Sequence, residues 1–549
     1  MPVYRMLCEF LRVSLRLFRN FFFISRLLIS STIFGLYTIG WALHAMIRRL
    51  YSTFVDIPTQ HLASDLFQPS QRSTFSRDVS ELHNLQFLSE CAPKFTVKAE
   101  NIRVISEPKD FYETLLRHAE AAKDRIILAS LYLGEITKNS SNLMKKTEIF
   151  TGIGKMESEL VETMKQNLKK NQSLKVNILL DFMRGTRGTE NSKTMLMPLI
   201  QQSANCNLSL YHTPHLRGIK KRFMPARYNE ILGLQHMKLY LFDNKVVISG
   251  ANLSNDYFTN RQDRYIEIED RKLANFFAGL VEKVQEFSLN VDTTGEFKLH
   301  KDWKLMPYES DQMKFADEAK KRLQNFFEKT FAEQKTSDND EGDTWIFPTM
   351  EMGQLNIHHD SVVTRRILKN VEAGSKLNMA TGYFNLTQSL MDTVVKDCEA
   401  DCSFIMAHPN ANGFKGARGP AGGIPDAYTL LARKFLEQIK LHGQEDRISL
   451  LEYERQSWTY HAKGLWYTPA ESTQPCMTVV GSSNYGERSV NCDIESQICL
   501  VTSNKSLQRA LKAEYDHLTQ FANTAEGPLV DRLIPKWVRT VVFLFKNFF

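Results

Sequence analysis

HMKLYLFDNKVVISGANLS, residues 236–254, consists of two short β-rich runs separated by the turn-forming pair Asp243 and Asn244. We therefore predict a β-hairpin here. His236 and Lys238 are two residues apart, so a strand directs both side chains to the same face. The hairpin register places Phe242 opposite Lys245, Lys238 opposite Ser249, and His236 opposite Ala251 beside Asn252.

A second copy of this pattern begins 225 residues later. In HAKGLWYT (461–468), His461 and Lys463 again share one strand face. A returning run, VVGSSN, follows after a longer loop. One isolated His-x-Lys pair is weak evidence, because a core strand with a surface lysine has the same letters. Two copies with the same downstream residues are strong evidence for a functional site. The second copy contributes Ser482 and Asn484, as the first contributes Ser249 and Asn252.

Short apolar runs alternate with helical patterns along most of the chain. RIILASLYLG (125–134) and LKVNILLDFM (174–183) have counterparts, in the same order, in KLNMATGYFN (376–385) and CSFIMAHPN (402–410). This alternation predicts an α/β fold. We predict two similar α/β/α sandwich halves that arise from an internal repeat and pack to form one active site. The predicted divisions are residues 95–290 for the first half, 291–345 for a helical segment with an acidic linker, and 346–525 for the second half.

Two copies of histidine, lysine and asparagine in one place are suited to phosphoryl chemistry. Lysine and asparagine side chains donate hydrogen bonds to phosphoryl oxygens. One histidine can attack phosphorus while the other transfers a proton. Glu267 and Glu495 follow the two hairpins, and we expect each to hold one ring in the required tautomer. This chemistry requires no cofactor and no metal, and the eight sparse cysteines predict no zinc site.

The composition indicates a globular protein of several domains. The chain has 549 residues, of which 43% are hydrophobic, and a net charge of +7. This modest positive charge is compatible with anionic substrates and a membrane surface. No stripe of basic and aromatic residues indicates a nucleic-acid groove, so we predict no nucleic-acid partner.

Both ends of the chain depart from this average. Residues 1–55 contain seven arginines and one acid, as a mitochondrial targeting sequence does. Within them, residues 27–47 are apolar and long enough to span a bilayer. A cleaved targeting segment and a membrane helix both fit this pattern. Residues 526–549 mix basic and aromatic residues, which favours a membrane-interface tail over a last helix packed on the core.

The motif H-x-K-x4-D, followed by a Gly/Ser-x-Asn element, resembles the phospholipase D superfamily. YHTPHLRGIKKRF (211–223), the block 233–265 around His236, and HAKGLWYT resemble the mitochondrial phosphatidylglycerophosphate synthases of eukaryotes, over about residues 95–525. The resemblance implies a phospholipase D-like fold. It also implies transfer of the phosphatidyl group of CDP-diacylglycerol to sn-glycerol 3-phosphate, with release of CMP, in phosphatidylglycerol and cardiolipin synthesis. The implied location is the mitochondrion, at its inner membrane.

The resemblance also implies roles for individual residues. His236 would form a phosphatidyl-histidine, and His461 would protonate the departing CMP and then deprotonate the glycerol hydroxyl. Thr468 stands where the second motif of the family has an aspartate. Asp243 is therefore either catalytic, as the family pattern implies, or a residue that fixes the turn. The phosphoryl oxygens would be held by Lys238, Lys463, Asn252 and Asn484.

Two weaker patterns complete the predicted site. The basic stretch 217–227 could bind glycerol phosphate or anionic headgroups, and the alternative is a solvated loop. Its candidate residues are Arg217, Lys220, Lys221 and Arg222. Two strand ends at the carboxyl edge of the sheet are expected to line the site. They contribute Ser130, Tyr132, Thr381 and Tyr383.

Two other functions compete with phosphatidyl transfer. One is a phospholipase D-type hydrolase of lipid or nucleic acid, and the family-specific blocks weigh against a nuclease. The other is an inactive membrane scaffold, which the missing second aspartate suggests. The presence of both histidine–lysine pairs argues against the scaffold.

Overall fold

The computed structural model describes residues 84–134, 154–225, 228–334 and 341–545. The predicted targeting segment or membrane helix within residues 1–55, including 27–47, lies outside the described residues. The last four residues of the predicted tail also lie outside them. Within the described ranges, no helix combines the length and hydropathy needed to cross a membrane.

The described residues form strands and helices that alternate along the chain. The strands are β1 Phe95–Val97, β2 Ile102–Ile105, β3 Arg125–Ala129, β4 Lys175–Asp181, β5 Cys206–Tyr211, β6 Leu239–Phe242, β7 Lys245–Ser249, β8 Arg261–Gln262, β9 Tyr265–Glu269, β10 Leu289–Val291, β11 Phe297–Leu299, β12 Thr344–Met352, β13 Ile357–His358, β14 Lys376–Thr381, β15 Asp401–Ala407, β16 Ile448–Tyr453, β17 Thr459–Tyr460, β18 Lys463–Thr468, β19 Met477–Gly481, β20 Ile494–Thr502 and β21 Ala522–Thr524.

The α-helices connect these strands or follow them. They are α1 Leu88–Cys91, α2 Pro108–Ala121, α3 Lys155–Lys170, α4 Phe182–Gly185, α5 Ser192–Gln202, α6 Gly218–Phe223, α7 Asn255–Thr259, α8 Arg271–Glu286, α9 Gln312–Gln334, α10 His359–Asn370, α11 Gln388–Asp392, α12 Ile424–Leu441, α13 Glu487–Asn491, α14 Lys505–Thr519, α15 Glu526–Asp531 and α16 Lys536–Phe545.

Two large mixed sheets share one topology. The first has the strand order β11-β10-β5-β4-β3-β6-β7-β9-β2, in which β3, β4 and β5 are parallel. The second has the order β1-β12-β20-β19-β18-β14-β15-β16-β21, in which β14, β15 and β16 are parallel. From β21 to β12, the second sheet repeats the succession and the strand directions of the first from β10 to β2. This shared topology is what the predicted internal repeat requires, and the α/β class is confirmed.

Helices cover both faces of each sheet, which explains why the central strands are apolar throughout. In β3, Ile126 and Leu128 enter an outer core beneath α2, α3 and α5. Ile127 and Ala129, on the other face, enter a central core that also contains residues of the second sheet, α8, α9 and α14. A matching outer core lies beneath α10 and α12. The halves are therefore sandwiches joined through a shared apolar centre, in which burial provides the main stabilisation.

The boundaries of the halves are not strictly sequential. Strand β1 pairs with β12 of the second sheet, with Phe95 opposite Ile346, although the sequence analysis placed residues 95–290 in the first half. We propose that the first half begins at β2. The segment predicted as helical between the halves contains α9, whose apolar face enters the central core.

Candidate active site

The hairpin predicted at residues 236–254 is formed by β6 and β7. Its turn is Asp243–Asn244, and Phe242 pairs with Lys245 as predicted. His236 and Lys238 lie directly before β6. Lys238 is fully buried, and its ammonium donates to the His236 carbonyl at 2.7 Å. This bond folds the lysine back beside the histidine.

The second hairpin repeats this arrangement with β18 and β19. His461 lies just before β18, which begins at Lys463. The Lys463 ammonium donates to the His461 carbonyl at 2.8 Å, and the lysine is fully buried. The two predicted His-x-Lys pairs therefore have the same local geometry.

Each histidine is attached by its backbone to the other half of the chain. The His236 amide donates to the Ile494 carbonyl at 2.8 Å, and the His461 amide donates to the Gln262 carbonyl at 2.8 Å. In the second case this contact extends a short parallel pairing of β17 with β8. The two halves thus bring both motifs into one buried site.

Each ring also takes a carboxylate from the other half. Both oxygens of Glu495 lie 2.9 Å from His236 Nδ1, as the sequence analysis expected of this glutamate. Asp263 Oδ2 lies 2.6 Å from His461 Nδ1. A carboxylate that accepts Nδ1–H leaves a lone pair on Nε2, which is the form needed to attack phosphorus or accept a proton.

The structure does not bring Glu267 to the histidines. Glu267 lies on β9 and pairs with Arg103 and His118 instead. The residue equivalent to Glu495 is Asp263, because each lies eleven residues after its asparagine, Asn252 or Asn484. Counting the same spacing from both asparagines identifies Asp263. The prediction matched the residue type instead and chose Glu267, four residues further along the chain.

Asp243 is placed away from the chemistry. It occupies the turn at the far end of β6 from His236, with φ of 53°. Its carboxylate accepts hydrogen bonds from the backbone amides of Lys123, Asp124 and Arg125 at 2.8–3.0 Å. Of the two roles left open for Asp243, we therefore propose the structural one, in which it fixes the turn against the backbone of residues 123–125.

Burial dominates the electrostatics of the site. It lowers the pKa of both histidines well below the ordinary value, and Lys238 and Lys463 beside them add to the shift. Burial also lowers the pKa of both lysines. It raises the pKa of Asp263 to about 6 and that of Glu495 to about 7. Neutral imidazoles are therefore the resting form at neutral pH.

Of the two predicted asparagines, Asn252 is linked to His461 through Tyr257. Asn252 Nδ2 donates to the Tyr257 hydroxyl at 3.1 Å, and the Oδ1 atoms of Asn252 and Asn484 are buried without a partner among the described residues. Ser249 and Ser482 use their hydroxyls on backbone carbonyls of the neighbouring strand. Both hydroxyls hold the strand ends in place, and Ser482 also hydrogen-bonds to Glu495, the carboxylate on His236.

Aromatic side chains surround one histidine more closely than the other. Tyr257 Oη lies 3.3 Å from His461 Nε2, and the Tyr383 ring meets the His461 ring edge-on at 5.3 Å. No partner of His236 Nε2 is seen within the described ranges. This difference leaves His236 as the ring with the open nitrogen.

For the other predicted lining residues, the contacts seen are with residues other than the two histidines. The Thr381 hydroxyl donates to the Asn484 carbonyl at 3.2 Å, and Ser130 donates to the Tyr132 carbonyl at 3.1 Å. The ring of Tyr132 lies beneath the guanidinium of Arg184, at 4.5 Å.

Two of the four candidate residues in the predicted basic stretch make contacts outside the site. Arg217 donates to the Ser310 carbonyl at 2.6 Å, and Lys221 lies over the ring of Tyr308. Lys220 and Arg222 lie with Lys221 on the short helix α6. The substrate role of these four residues stays a prediction.

Arginines near the histidines were missed by the sequence analysis. Arg261 adjoins the Gln262 contact of His461, and Arg488 adjoins Asp493 near His236. Each arginine belongs to an ion pair at positions four and nine after its asparagine, but Arg261 is at the ninth position and Arg488 at the fourth, so a search for matching residue types at equal spacing misses them.

A cluster of His236, Asp493 and Glu495 offers three ligand atoms within 4.8 Å of one another. Such a donor set is compatible with a metal ion. Here each carboxylate already has partners, since Asp493 accepts from the Leu234 amide at 3.0 Å and Glu495 accepts from Ser489 at 2.6 Å. Lys238 also places a positive charge beside the cluster, and this opposes cation binding.

Comparisons with known proteins show which family the chain resembles in fold and sequence. No protein-family model matches the sequence. The solved structure of a phosphatidylserine synthase from Haemophilus influenzae Rd KW20 has a TM-score of 0.61 at 18% identity, covering 84% of this chain and 96% of that one. At this identity the likeness shows the fold alone.

Curated relatives are more similar in sequence. The mitochondrial CDP-diacylglycerol–glycerol-3-phosphate 3-phosphatidyltransferase of Homo sapiens is 39% identical over 500 residues, covering 85% of this chain and 86% of its own length. The enzyme of that name from Saccharomyces pastorianus is 33% identical and covers 80% of this chain and 84% of its own length. A probable one from Dictyostelium discoideum is 37% identical, with coverages of 84% and 80%. The chain belongs to the CDP-diacylglycerol–glycerol-3-phosphate 3-phosphatidyltransferase family.

Proposed function

We propose that this chain transfers the phosphatidyl group of CDP-diacylglycerol to glycerol 3-phosphate and releases CMP. The observation that carries the proposal is the pair of buried His–Lys units, each completed by a carboxylate from the other half. This arrangement supplies one nucleophile, one base and two ammonium groups around a single phosphoryl position. Family membership supplies the two substrates.

In the first step, His236 Nε2 attacks the phosphatidyl phosphorus. A phosphorus–nitrogen bond forms, and the bond from phosphorus to the bridging oxygen of CMP breaks. Glu495 holds the Nδ1 proton and balances the positive charge of the phosphorylated ring. Lys238 and Lys463 stabilise the charge on the non-bridging oxygens. CMP leaves as a phosphate anion, so its departure depends less on protonation than that of an alcohol.

In the second step, a glycerol hydroxyl attacks the same phosphorus. His461 Nε2 accepts the hydroxyl proton, while Asp263 holds the proton on Nδ1. The phosphorus–nitrogen bond breaks and His236 is regenerated. Burial lowers the pKa of His461, and this keeps Nε2 free to act as the base at neutral pH.

The decisive experiment follows both steps separately. Purified protein is given CDP-diacylglycerol and labelled glycerol 3-phosphate, and labelled lipid and CMP are measured. We expect His236→Ala to abolish both products. We expect His461→Ala to slow the second step by about 10²–10⁴-fold and to accumulate a phosphatidyl adduct on the peptide that contains His236.

Three outcomes would contradict the proposal. An adduct on the peptide that contains His461 would reverse the roles, and labelled lipid formed normally by His236→Ala would exclude a phosphohistidine. Phosphatidic acid released without any transfer would identify a hydrolase instead.

We also propose that the protein binds the mitochondrial inner membrane from one side through its C-terminal helix. Helix α16 packs Val538 and Val542 against α12. The same segment exposes three large apolar side chains, Leu533, Trp537 and Phe543, at 94%, 47% and 72% exposure. Exposed apolar side chains beside exposed basic residues suit a lipid interface, where the lipid substrate is found.

Vesicle flotation tests this surface. We expect the double variant Leu533→Ser with Phe543→Ser to lower the bound fraction on vesicles that contain anionic lipid. Leu441→Ser is the matched control, because Leu441 is 75% exposed at the end of α12, outside this segment. Equal losses in both variants, or in neither, would remove the assignment.

A further inference from the structure

The two halves carry an ion pair at the same position with its charges exchanged. Helices α7 and α13 both begin three residues after the site asparagines. In the first half, Asp256 precedes Arg261, and Arg261 Nη2 lies 3.3 Å from Asp256 Oδ2. In the second half, Arg488 precedes Asp493, with Nε and Oδ2 3.3 Å apart. Position for position, Arg261 therefore corresponds to Asp493.

The exchange places a cation on the His461 side of the site. Arg261 is adjacent to Gln262, whose carbonyl holds the His461 backbone. Its guanidinium lies 4.7 Å from the ring centre of Tyr257, the residue whose hydroxyl contacts His461 Nε2. Its Nε donates to Thr459, and no partner of Nη1 is seen in the described part of the chain.

The opposite charge stands on the His236 side. Asp493 is buried, and its carboxylate lies within 4.8 Å of the ligand atoms of His236 and Glu495. A carboxylate here favours the positively charged ring of a phosphohistidine and repels a free phosphate group. The pKa of both rings is lowered chiefly by burial. At His236, Asp493 opposes this shift and Arg488 adds to it, whereas Arg261 adds to it at His461.

The departing CMP and the incoming glycerol 3-phosphate occupy the same side of the reacting phosphorus in turn. In-line displacement puts the departing CMP and the incoming glycerol 3-phosphate opposite the nucleophile, on the side of the base. Both carry a phosphate group that is not transferred. A site with exact two-fold symmetry would offer these phosphates no preferred side.

We propose that Arg261 binds the untransferred phosphate of glycerol 3-phosphate, and of CMP before it, and that the exchanged ion pair fixes the direction in which this pseudo-symmetric site works. This inference rests on the proposed phosphatidyl transfer. The arginine donates charge-assisted hydrogen bonds to the phosphate, and Asp493 excludes that phosphate from the His236 side.

Acceptor kinetics test the assignment. We expect Arg261→Gln to raise the KM for glycerol 3-phosphate by about 10–100-fold. Arg261→Lys should recover part of this loss, because it keeps the charge but not the forked geometry. Arg261→Gln should also slow the exchange of labelled CMP into CDP-diacylglycerol, which needs no acceptor. Thermal melting of each variant shows whether the fold is retained.

Arg322→Gln is the matched control, since Arg322 is a half-buried arginine on α9, a helix that carries no residue of the site, and it pairs with Glu286 at 2.7 Å. We expect its KM for glycerol 3-phosphate to stay within about twofold of wild type. If Arg261→Gln retains the wild-type KM, or if Arg322→Gln raises it as much, the assignment is overturned. Absence of labelled lipid from the wild-type protein would instead reject the proposed function itself.

Discussion

At the level of residues, each histidine depends on a carboxylate that is distant in the sequence. His236 and Glu495 are 259 residues apart, and His461 and Asp263 are 198 apart. Both carboxylates are almost completely buried, and burial raises the pKa of each. Ionisation of these groups therefore falls within the range of pH in which the enzyme is expected to act.

A pH profile tests the Glu495 pair. The pKa of Glu495 is about 7 and that of Asp263 about 6, and the ionised form orients each ring. We expect kcat/KM to rise with pH through this range. Glu495→Gln should lower kcat by about 10²–10³-fold and remove the upper part of the rise. A variant that kept both the wild-type rate and the wild-type profile would show that Glu495 only fills space.

For Glu267, in contrast, we predict a role in stability rather than in catalysis. Burial opposes its ionisation, but hydrogen bonds from His118 and Arg103 outweigh burial and lower its pKa to about 2. Because the folded pKa is depressed, the stabilisation is present above about pH 4.5 and is lost as the pH falls toward 2. Glu267→Gln should reduce the free energy of unfolding by about 1–3 kcal/mol at pH 7, with a smaller difference at pH 3.

Denaturation and activity distinguish the two roles of Glu267. We expect the melting temperature of Glu267→Gln to fall while kcat is retained, because the side chain faces β2 and α2. A large loss of kcat at an unchanged melting temperature would return Glu267 to the active site.

At the level of elements, the β6–β7 turn explains why the second motif can lack its aspartate. Asp243 binds three consecutive backbone amides in the loop before β3, and these amides would otherwise lose hydrogen bonds. Thr468 ends β18, where a longer loop follows and no tight turn has to be fixed. The aspartate therefore belongs to the turn, and the His–Lys pair belongs to the chemistry.

Asp243→Asn tests this division. Asparagine tolerates the positive φ but loses the charge and one acceptor. We expect the free energy of unfolding to fall by about 1–2 kcal/mol and kcat to stay within about twofold. Thermal melting and the transfer assay measure the two effects. A loss of kcat of about 10²-fold or more would support a catalytic Asp243.

At the level of the whole molecule, one buried arginine connects the halves. Arg264 precedes β9 and forms two hydrogen bonds with Glu514 on α14, at 3.0 and 2.8 Å. Its guanidinium also lies 3.7 Å from the ring centre of Trp466. Its neighbour in the sequence is Asp263, so the residue that joins the halves adjoins the residue that orients His461.

Arg264→Met is expected to destabilise the protein by about 3–5 kcal/mol, because it leaves the buried Glu514 carboxylate with the Trp466 indole but without its cationic partner. The double variant Arg264→Met with Glu514→Gln should recover part of this loss. Melting temperatures of the two variants measure the effect. Equal stability of the single variant and the wild-type protein would show that the apolar core alone holds the halves together.

Much of the fold follows from local patterns. The β6–β7 register could be predicted because a two-residue turn fixes which residues pair. The α/β class followed from alternating strands and helices. The pairing of β1 with β12 could not be predicted, because a three-residue strand carries no information about which distant edge it joins.

The sequence by itself determined the two His-x-Lys pairs, their asparagines and the chemistry they support, because side-chain type and strand periodicity are local properties. Only the tertiary structure decided which carboxylate orients which ring, because each ring takes its carboxylate from the other half. It also placed Asp243 in a turn and put Arg261 and Asp493 on opposite sides of the site. These relations join residues that are far apart in the chain, and the packing of two halves around one buried centre creates them.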